Sequence, residues 1–201
     1  MTEEVCFGRC KDADNLVQHF HYSGYVPTNI QFCGTLYREG IPVASVFYSI
    51  PSTRWSEDVL ELCRLVRDEM ATPKPTLTGL ISKSIKEIRR DGKFNLLISF
   101  ADSTHGHHGG VYQAASWNYY TIRKPSHDGF LINGIFVPRR TCNHRWGTSS
   151  RTKLPELLGK DLCIPHFDTG KYLYWKSLDN NGEKKAHRLG LTKSPYPKPD
   201  E

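Results

Sequence analysis

The chain has 201 residues, 38% of them hydrophobic, with a formal charge of +6 and a pI of about 9.0. That length supports one domain with a substantial core. No run approaches the ~20 apolar residues that span a bilayer, and no charged-then-apolar leader opens the chain, so a soluble protein of the cytoplasm with no membrane partner is expected.

Residues 14–22 read as a short helix capped by Asp14, with Leu16, Val17 and Phe20 on one face. Three strands follow at 31–37, 43–50 and 58–66, with Arg38-Glu39-Gly40 as a turn between the first two. Pro73 and Pro75 break the chain before a helix at 77–91, whose stripe is Leu77, Leu80, Ile81, Ile85 and Ile88 and whose stop is Gly92. A strand at 94–101, a Gly/His loop and a helix at 110–120 come next, then strands at 130–138 and 170–176. Past Gly182 the chain is rich in Lys and Pro and reads as a basic, mobile tail over 182–201.

The first three strands have short connections and are expected to be antiparallel. The next connection holds a helix, which allows parallel pairing. This order resembles the GNAT acyltransferase fold, an α+β class with a mixed central sheet flanked by helices, and predicts one GNAT-like domain over 1–181. In that fold the loop into the central helix holds the pyrophosphate of coenzyme A on backbone amides. Here residues 71–79 keep Gly79, but Pro73 and Pro75 have no amide hydrogen. Thr76, Thr78 and Ser82 offer hydroxyls to a donor there, or serve only to cap the helix.

The most informative stretch is 96–120. An apolar run of strand length ends at Asp102, and Tyr112 follows ten positions later across a loop containing His105, His107 and His108. A lone acid at a strand end, facing a helix start, is a common way to build a site. Asp102 reads as a general base or as a turn former, and Tyr112 as a proton donor, a stacking platform or a core ring. The six cysteines read as reduced core residues or as metal ligands where they cluster. Cys6 and Cys10, with His19 and His21, make the best such cluster, though without the Cys-x-x-Cys spacing of structural zinc. Arg123, Lys124, Arg139, Arg140, Arg145, Arg151 and Lys153 form a basic stretch interrupted by one acid, Asp128, the footprint of a nucleic-acid partner or of a solubilising surface. Trp55, Trp117, Tyr119, Tyr120 and Trp146 could hold a base rotated out of a duplex, or pack in the core.

Three stretches together resemble the Mom family of phage DNA-modification proteins. They are His19-Phe-His-Tyr22-Ser-Gly-Tyr-Val-Pro27, Leu60-Glu-Leu-Cys-Arg64-Leu-Val-Arg67, and Ser99-Phe-Ala-Asp102 with the His/Gly loop and Val-Tyr112-Gln-Ala-Ala-Ser-Trp-Asn-Tyr-Tyr120. The resemblance implies conversion of adenine in double-stranded DNA to N6-carbamoylmethyladenine, which protects phage DNA from host restriction. It marks Asp102, Tyr112, Tyr22, His21 and Arg64 as functionally required. The start of the helix at 77–91 is where an acyl or glycyl-type donor such as acetyl-CoA is expected, near Thr78, Gly79 and Ser82, and the resemblance leaves iron possible as a further cofactor with no ligands assigned. Arg139, Arg140, Arg145, Arg151 and Lys153 are the expected DNA contacts, and a homodimer is possible. Two other classes fit the same residues: an ordinary GNAT acyltransferase acting on an amine of a protein, small molecule or modified base, and a non-enzymatic DNA-binding phage protein.

Overall fold

β-branched and aromatic residues concentrate between residues 30 and 67, and they fold as an antiparallel meander. The computed structural model describes residues 2–51, 55 and 58–198. Strand β1 (Glu3–Phe7) leads into α1 (Lys11–Phe20), and the meander is β2 (Ile30–Arg38), β3 (Ile41–Ser49) and β4 (Val59–Arg67). Glu39 and Gly40 both take positive φ, 52° and 81°, which is the two-residue turn that matches strand twist. Helix α2 (Leu77–Asp91) connects β4 to β5 (Leu96–Asp102), and these two strands pair in parallel. Short α3 (Gly110–Ala114) and β6 (Asn118–Arg123) follow, and much later β10 (Lys171–Ser177) and α6 (Asn180–Arg188). The resulting seven-stranded mixed sheet has the order β1-β2-β3-β4-β5-β10-β6.

The described chain falls into two units. Unit 1 is Met1–Ala101, Gly109–Thr121 and Leu173–Glu201; unit 2 is Asp102–His108 and Ile122–Tyr172. In unit 1, α1 packs Ala13, Leu16 and Val17 on Phe47 and Val66. The next residue along β3, Tyr48, points to the other face, where its hydroxyl meets Ser84 of α2 at 2.7 Å. Trp175, Leu173, Val59, Leu96 and Ile98 gather against Ala186 of α6 and Leu191. Unit 2 has its own antiparallel sheet of β7 (His127–Ile132), β8 (Ile135–Pro138) and β9 (Cys163–Phe167), in the order β8-β7-β9. Helices α4 (Arg139–Trp146) and α5 (Lys153–Leu158) close its core with Cys142 and Leu154 over Phe130 and Cys163.

Several expectations change. Helix α1 starts at Lys11 rather than 14, and Asp14 sits inside its first turn, bound to Arg9 at 2.9 Å instead of capping. The helix expected at 110–120 stops after one turn, because Ser116 takes φ 57° and the run Tyr119-Tyr120-Thr121-Ile122 belongs to a strand. Residues 130–138 are two strands, split by Asn133 and Gly134 at φ 52° and 77°. The stretch expected as a tail begins with most of α6 and then packs on unit 1 as far as Pro197. Leu191 is 5% exposed, Trp175 Nε1 donates to the Thr192 carbonyl (3.1 Å), Tyr196 donates to the Trp117 carbonyl (2.8 Å), and Gln113 Nε2 donates to the Pro197 carbonyl (3.2 Å). Residues 199–201 of that stretch lie outside the described residues.

Helix α6 depends on Gly182. Asp179 caps the helix by accepting the Gly182 N–H (2.8 Å), and a side chain at 182 would run into the Asn95 carbonyl oxygen. Gly182→Ala is therefore expected to destabilise the fold by about 1–3 kcal/mol, the usual range for overpacking, read as a lower midpoint in thermal unfolding. An unchanged midpoint would show that α6 is not held against the sheet.

Candidate functional site

The parallel ladder between β4 and β5 is short. It runs from Val59↔Leu96 to Leu62↔Ser99 and stops, although β4 continues to Arg67. At the fork, Ser99 donates its hydroxyl to the Leu62 carbonyl (2.8 Å), giving that carbonyl a partner. Just beyond, β4 carries a bulge: Phe47 pairs with Arg64 and Tyr48 with Leu62, leaving Cys63 extra. Bulges of this kind re-aim side chains and often lie beside active sites. The Cys63 thiol donates to the Phe47 carbonyl (3.4 Å), and burial pushes it up to about 11, so it is a thiol rather than a thiolate at neutral pH. Arg64 donates to the carbonyls of Tyr25 (2.9 Å) and Cys63 (2.6 Å) and so anchors the loop after α1. That loop presents Tyr22, 51% exposed, with its ring 4.3 Å from that of His21.

Tyr112 stands over this fork on α3 and is 7% exposed. Its ring packs between Trp117 (5.4 Å) and Tyr174 (5.3 Å). Burial raises its hydroxyl above the ordinary tyrosine range, a hydrogen bond with Ser99 opposes this, and Tyr22, Glu61 and Cys63 push it further up. It is a protonated donor at neutral pH. Gly109, at φ 87°, caps α3, and any side chain there would strike the Tyr174 ring. Tyr174 in turn accepts a hydrogen bond from Gln113 (3.0 Å). Unit 1 thus brings Tyr112, Tyr22 and Arg64 to features of one fork, together with Ser99 and Tyr174, which the sequence pattern did not single out.

The residues expected to meet a donor lie at the N-terminus of α2. The first helical bond is Leu80 N–H to Thr76 (3.3 Å), so the preceding amides have no partner within the helix, and no acid occupies the first turn. Thr78 and Gly79 are half-buried and Ser82 is exposed. The cysteine–histidine cluster does not fit a metal. Cys10 lies against the hydroxyls of Thr35 and Tyr37, the His19 ring bonds the Asn15 carbonyl (2.8 Å), and the His21 ring bonds Ser23. Among the described residues, no three His, Cys, Asp or Glu side chains are placed to hold a metal ion.

Asp102 belongs to unit 2, and its partners there were not anticipated. Lys171 contacts one carboxylate oxygen at 2.9 Å, and the Thr104 amide donates to the other (3.0 Å). Burial pushes the carboxyl up, but Lys171 and Thr104 outweigh it and hold the group below the usual carboxylate range. Asp102 therefore both caps the turn over Ser103–His105 and stays ionised. Lys171 is placed by the turn before it. Buried Asp168 accepts from the amides of Ser126 and Gly170, both 3.1 Å, and pairs with Arg123. Gly170 sits at φ 114°, where a side chain would meet the Arg123 carbonyl. His107 is held below the ordinary imidazole range, first by burial and then by His105, with Asp102 opposing. The basic residues expected to meet DNA are also in unit 2. Arg139, Arg140 and Arg145 lie on α4, Arg151 follows it and Lys153 opens α5. All five are exposed, and among the described residues none makes an ion pair.

The model of the Mom protein family matches residues 5–198. The chain belongs to the Mom protein family. Solved structures show the fold to be GNAT-like. The ribosomal-protein-S18-alanine N-acetyltransferase of Escherichia coli superposes with a TM-score of 0.53 at 11% identity, covering 89% of this chain and 95% of that one. The yncA protein of Salmonella typhimurium, solved with its cofactor acetyl-CoA, gives 0.54 at 11% identity over 90% and 96%. A Bacillus subtilis acetyltransferase in complex with CoA gives 0.51 at 10% over 88% and 99%. No curated protein sequence matches the chain.

The Asp102–Lys171 pair sets a pH dependence with a definite sign. A depressed carboxyl contributes stability above its unfolded value and loses it as pH falls through the folded one. In the unaltered protein this contribution is constant near neutrality and fades only below about pH 4. Lys171→Met leaves Thr104 alone to oppose burial, so the Asp102 carboxyl rises from its depressed position. That variant should lose less stability than the unaltered protein on acidification below about pH 4, and adding Asp102→Asn should remove the acid step that remains. Thermal unfolding between acid and neutral pH measures both; parallel profiles for Lys171→Met and the unaltered protein would contradict the pairing.

Proposed function

We propose that this member of the Mom family transfers a carbamoylmethyl group to N6 of adenine in double-stranded DNA, giving N6-carbamoylmethyladenine and protecting phage DNA from host restriction. The family match across residues 5–198 carries this reading. The cations of unit 2 support a DNA partner, and among the described residues no helix is long and apolar enough to cross a membrane.

N6 of adenine is a poor nucleophile because its lone pair is delocalised into the ring. The product has a CH2 bonded to N6 and a terminal amide, so the new bond is made at a carbon next to a carbonyl and not at the carbonyl itself. Asp102, ionised beside Lys171, accepts a hydrogen bond from the N6 amine and turns its lone pair outward. A carboxylate held this low is a weak base, so orientation and charge are its main contribution, with the proton leaving as the new bond forms. In unit 1, Tyr112 keeps its proton and can donate a hydrogen bond. The first turn of α2, with Thr78, Gly79 and Ser82, suits the phosphate or carboxylate of an acyl or glycyl-type carrier such as acetyl-CoA. For the bond to form at CH2, the donor must carry a leaving group on that carbon and the amide nitrogen on its carbonyl. N6 displaces the group, which departs with the bonding pair, and the N6 proton passes to solvent. Acetyl-CoA supplies the two-carbon unit only together with an oxidant for its methyl carbon and ammonia for the amide. The unpaired edges beyond Leu62 and Ser99 can take an extended carrier as an added strand. That fork also supports a second reading, an ordinary acyltransferase for an amine, since proteins of this fold hold acetyl-CoA.

Mass spectrometry of nucleosides from cells expressing the chain separates the two. The proposal expects deoxyadenosine heavier by the carbamoylmethyl group, with Asp102→Asn lowering its formation by ~10²–10⁴. Unmodified adenine alongside an acetylated amine elsewhere would favour the second reading. Near-normal modification by a folded Asp102→Asn protein would remove Asp102 from the chemistry.

A further inference from the structure

Residues 191–197 run back along β6, the edge strand of the seven-stranded sheet. Ser194 forms an isolated antiparallel bridge with Tyr119, its amide donating to the Tyr119 carbonyl (2.9 Å) and its hydroxyl to the Tyr120 carbonyl (2.7 Å). Before it, Leu191 is buried and the Thr192 carbonyl accepts from Trp175 Nε1. A sheet edge needs cover, and residues 191–194 supply it. Tyr196 and Pro197 lie past the bridge, and edge cover does not account for their contacts.

Those two residues reach the two rings that enclose Tyr112. Tyr196 is exposed, yet its hydroxyl donates to the Trp117 carbonyl (2.8 Å). Trp117 is fully buried, and its indole nitrogen has no hydrogen-bond partner among the described residues. Its polar anchors are on the backbone: the amide donates to the Tyr112 carbonyl (2.9 Å), and the carbonyl is taken by Tyr196. On the other side of Tyr112, the Pro197 carbonyl accepts from Gln113 Nε2 (3.2 Å), and the same nitrogen donates to the Tyr174 hydroxyl (3.0 Å). A carbonyl can only accept, so the amide nitrogen of Gln113 must face it, and both hydrogens of that nitrogen are then used. Lys176 adds a further hold, donating to the carbonyls of Ala115 (3.2 Å) and Ser116 (2.9 Å) at the end of α3. A helix of five residues does not persist alone, so bonds from outside α3 decide where Tyr112 points.

We propose that Tyr196 and Pro197 form a strap that positions Tyr112, Tyr196 acting through Trp117 and Pro197 through Gln113 and Tyr174. The value of that placement for modification rests on the proposed function, whereas the link itself rests on the bonds alone. Tyr196 is a positioning residue: it touches a backbone carbonyl beside the Tyr112 ring, not the reacting atoms.

Hydrogen exchange on the full chain tests the link, and nucleoside mass spectrometry tests its consequence. Tyr196→Phe removes one hydroxyl at an exposed position and should leave the fold intact. The Trp117 amide, which closes the turn onto Tyr112, should then exchange roughly three- to tenfold faster. The amides of Leu80 in α2 and Asp68 after β4, bonded to Thr76 and Val43, should keep their rates. In cells expressing the variant, modified deoxyadenosine per soluble protein should fall by a comparable factor. Gly182→Ala, which weakens unit 1 elsewhere, should lower the unfolding midpoint without that loss of product and without selective exchange at Trp117. Unchanged exchange at Trp117 in Tyr196→Phe, or equal acceleration at all three amides, would overturn the strap. So would a loss of product in Gly182→Ala as large as in Tyr196→Phe, which would make stability the cause. If the unaltered protein makes no modified adenine, the proposed function fails, and the exchange rates still decide whether the strap holds Tyr112.

Discussion

The early end of the β4–β5 ladder is the constraint on which unit 1 depends. Parallel strands normally continue while both have residues to pair, because each unpaired backbone group away from water costs free energy. Here pairing ends at Leu62 and Ser99, and side chains take over what the partner strand would have supplied. Ser99 satisfies the Leu62 carbonyl and Arg64 the Cys63 carbonyl. The Cys63 bulge adds a bend at the same point. Tyr112 then meets a polar seat instead of an uninterrupted apolar sheet, which is why a tyrosine this buried keeps a partner for its hydroxyl. The ring also needs Tyr174 beside it, and Tyr174 needs the bare backbone of Gly109. A one-turn helix with so little intrinsic stability is held by this packing.

In unit 2 the corresponding constraint is electrostatic. Asp102 is 7% exposed, and a carboxylate so placed must either take up a proton or find a cation. Lys171 decides for the second. Its position comes from a turn that only a few residues can make, with Asp168 drawing in the amides of Ser126 and Gly170 and glycine tolerating φ 114°. The ammonium that keeps Asp102 charged also makes it a weaker base. Charge at the strand end is thereby fixed over the whole physiological range, at the expense of proton affinity.

Much of this was legible in the sequence where one strand or helix carries its own signal. The stripe of α2 with Gly92, the Glu39-Gly40 turn and the apolar run ending at Asp102 are local patterns, and each forms as the residues suggest. What was not legible depends on distant partners. Nothing in residues 59–67 says that pairing with β5 will stop at Leu62. Lys171 reads as one more surface cation until the fold sets it beside Asp102, although Asp168-Thr-Gly170 ahead of it is a turn signal that could have drawn notice. Helix α6 is mostly polar, and only Gly182, Lys185 and Ala186 are buried, so its composition resembles a solvated tail. Its place is set by tertiary contacts: the close approach at Gly182 and the pairing of Lys185 with Asp58. The α3–β6 boundary was missed because an amphipathic pattern and a run of strand-forming aromatics overlap at Ser116-Trp117.

Net charge was the weakest of the sequence arguments, and the structure shows how to sharpen it. Unit 2 holds nine Lys and Arg against five Asp and Glu, a surplus of four. A surplus that small could be scattered and mean little. Three of the five acids, however, are used internally: Asp102 with Lys171, Asp128 with His166 and Asp168 with Arg123. Two of those pairs also withdraw a cation, and the third uses a histidine. The charges left facing solvent on α4, on α5 and between them are therefore more one-sided than the count implies, and among the described residues they carry no ion-pair partner that a phosphate would have to displace. Exposed cations without such partners lose little on binding an anion beyond their own hydration, whereas cations in surface pairs must first give up an interaction. It is on this difference in pairing, more than on the sum of charges, that the proposed DNA contact of unit 2 rests.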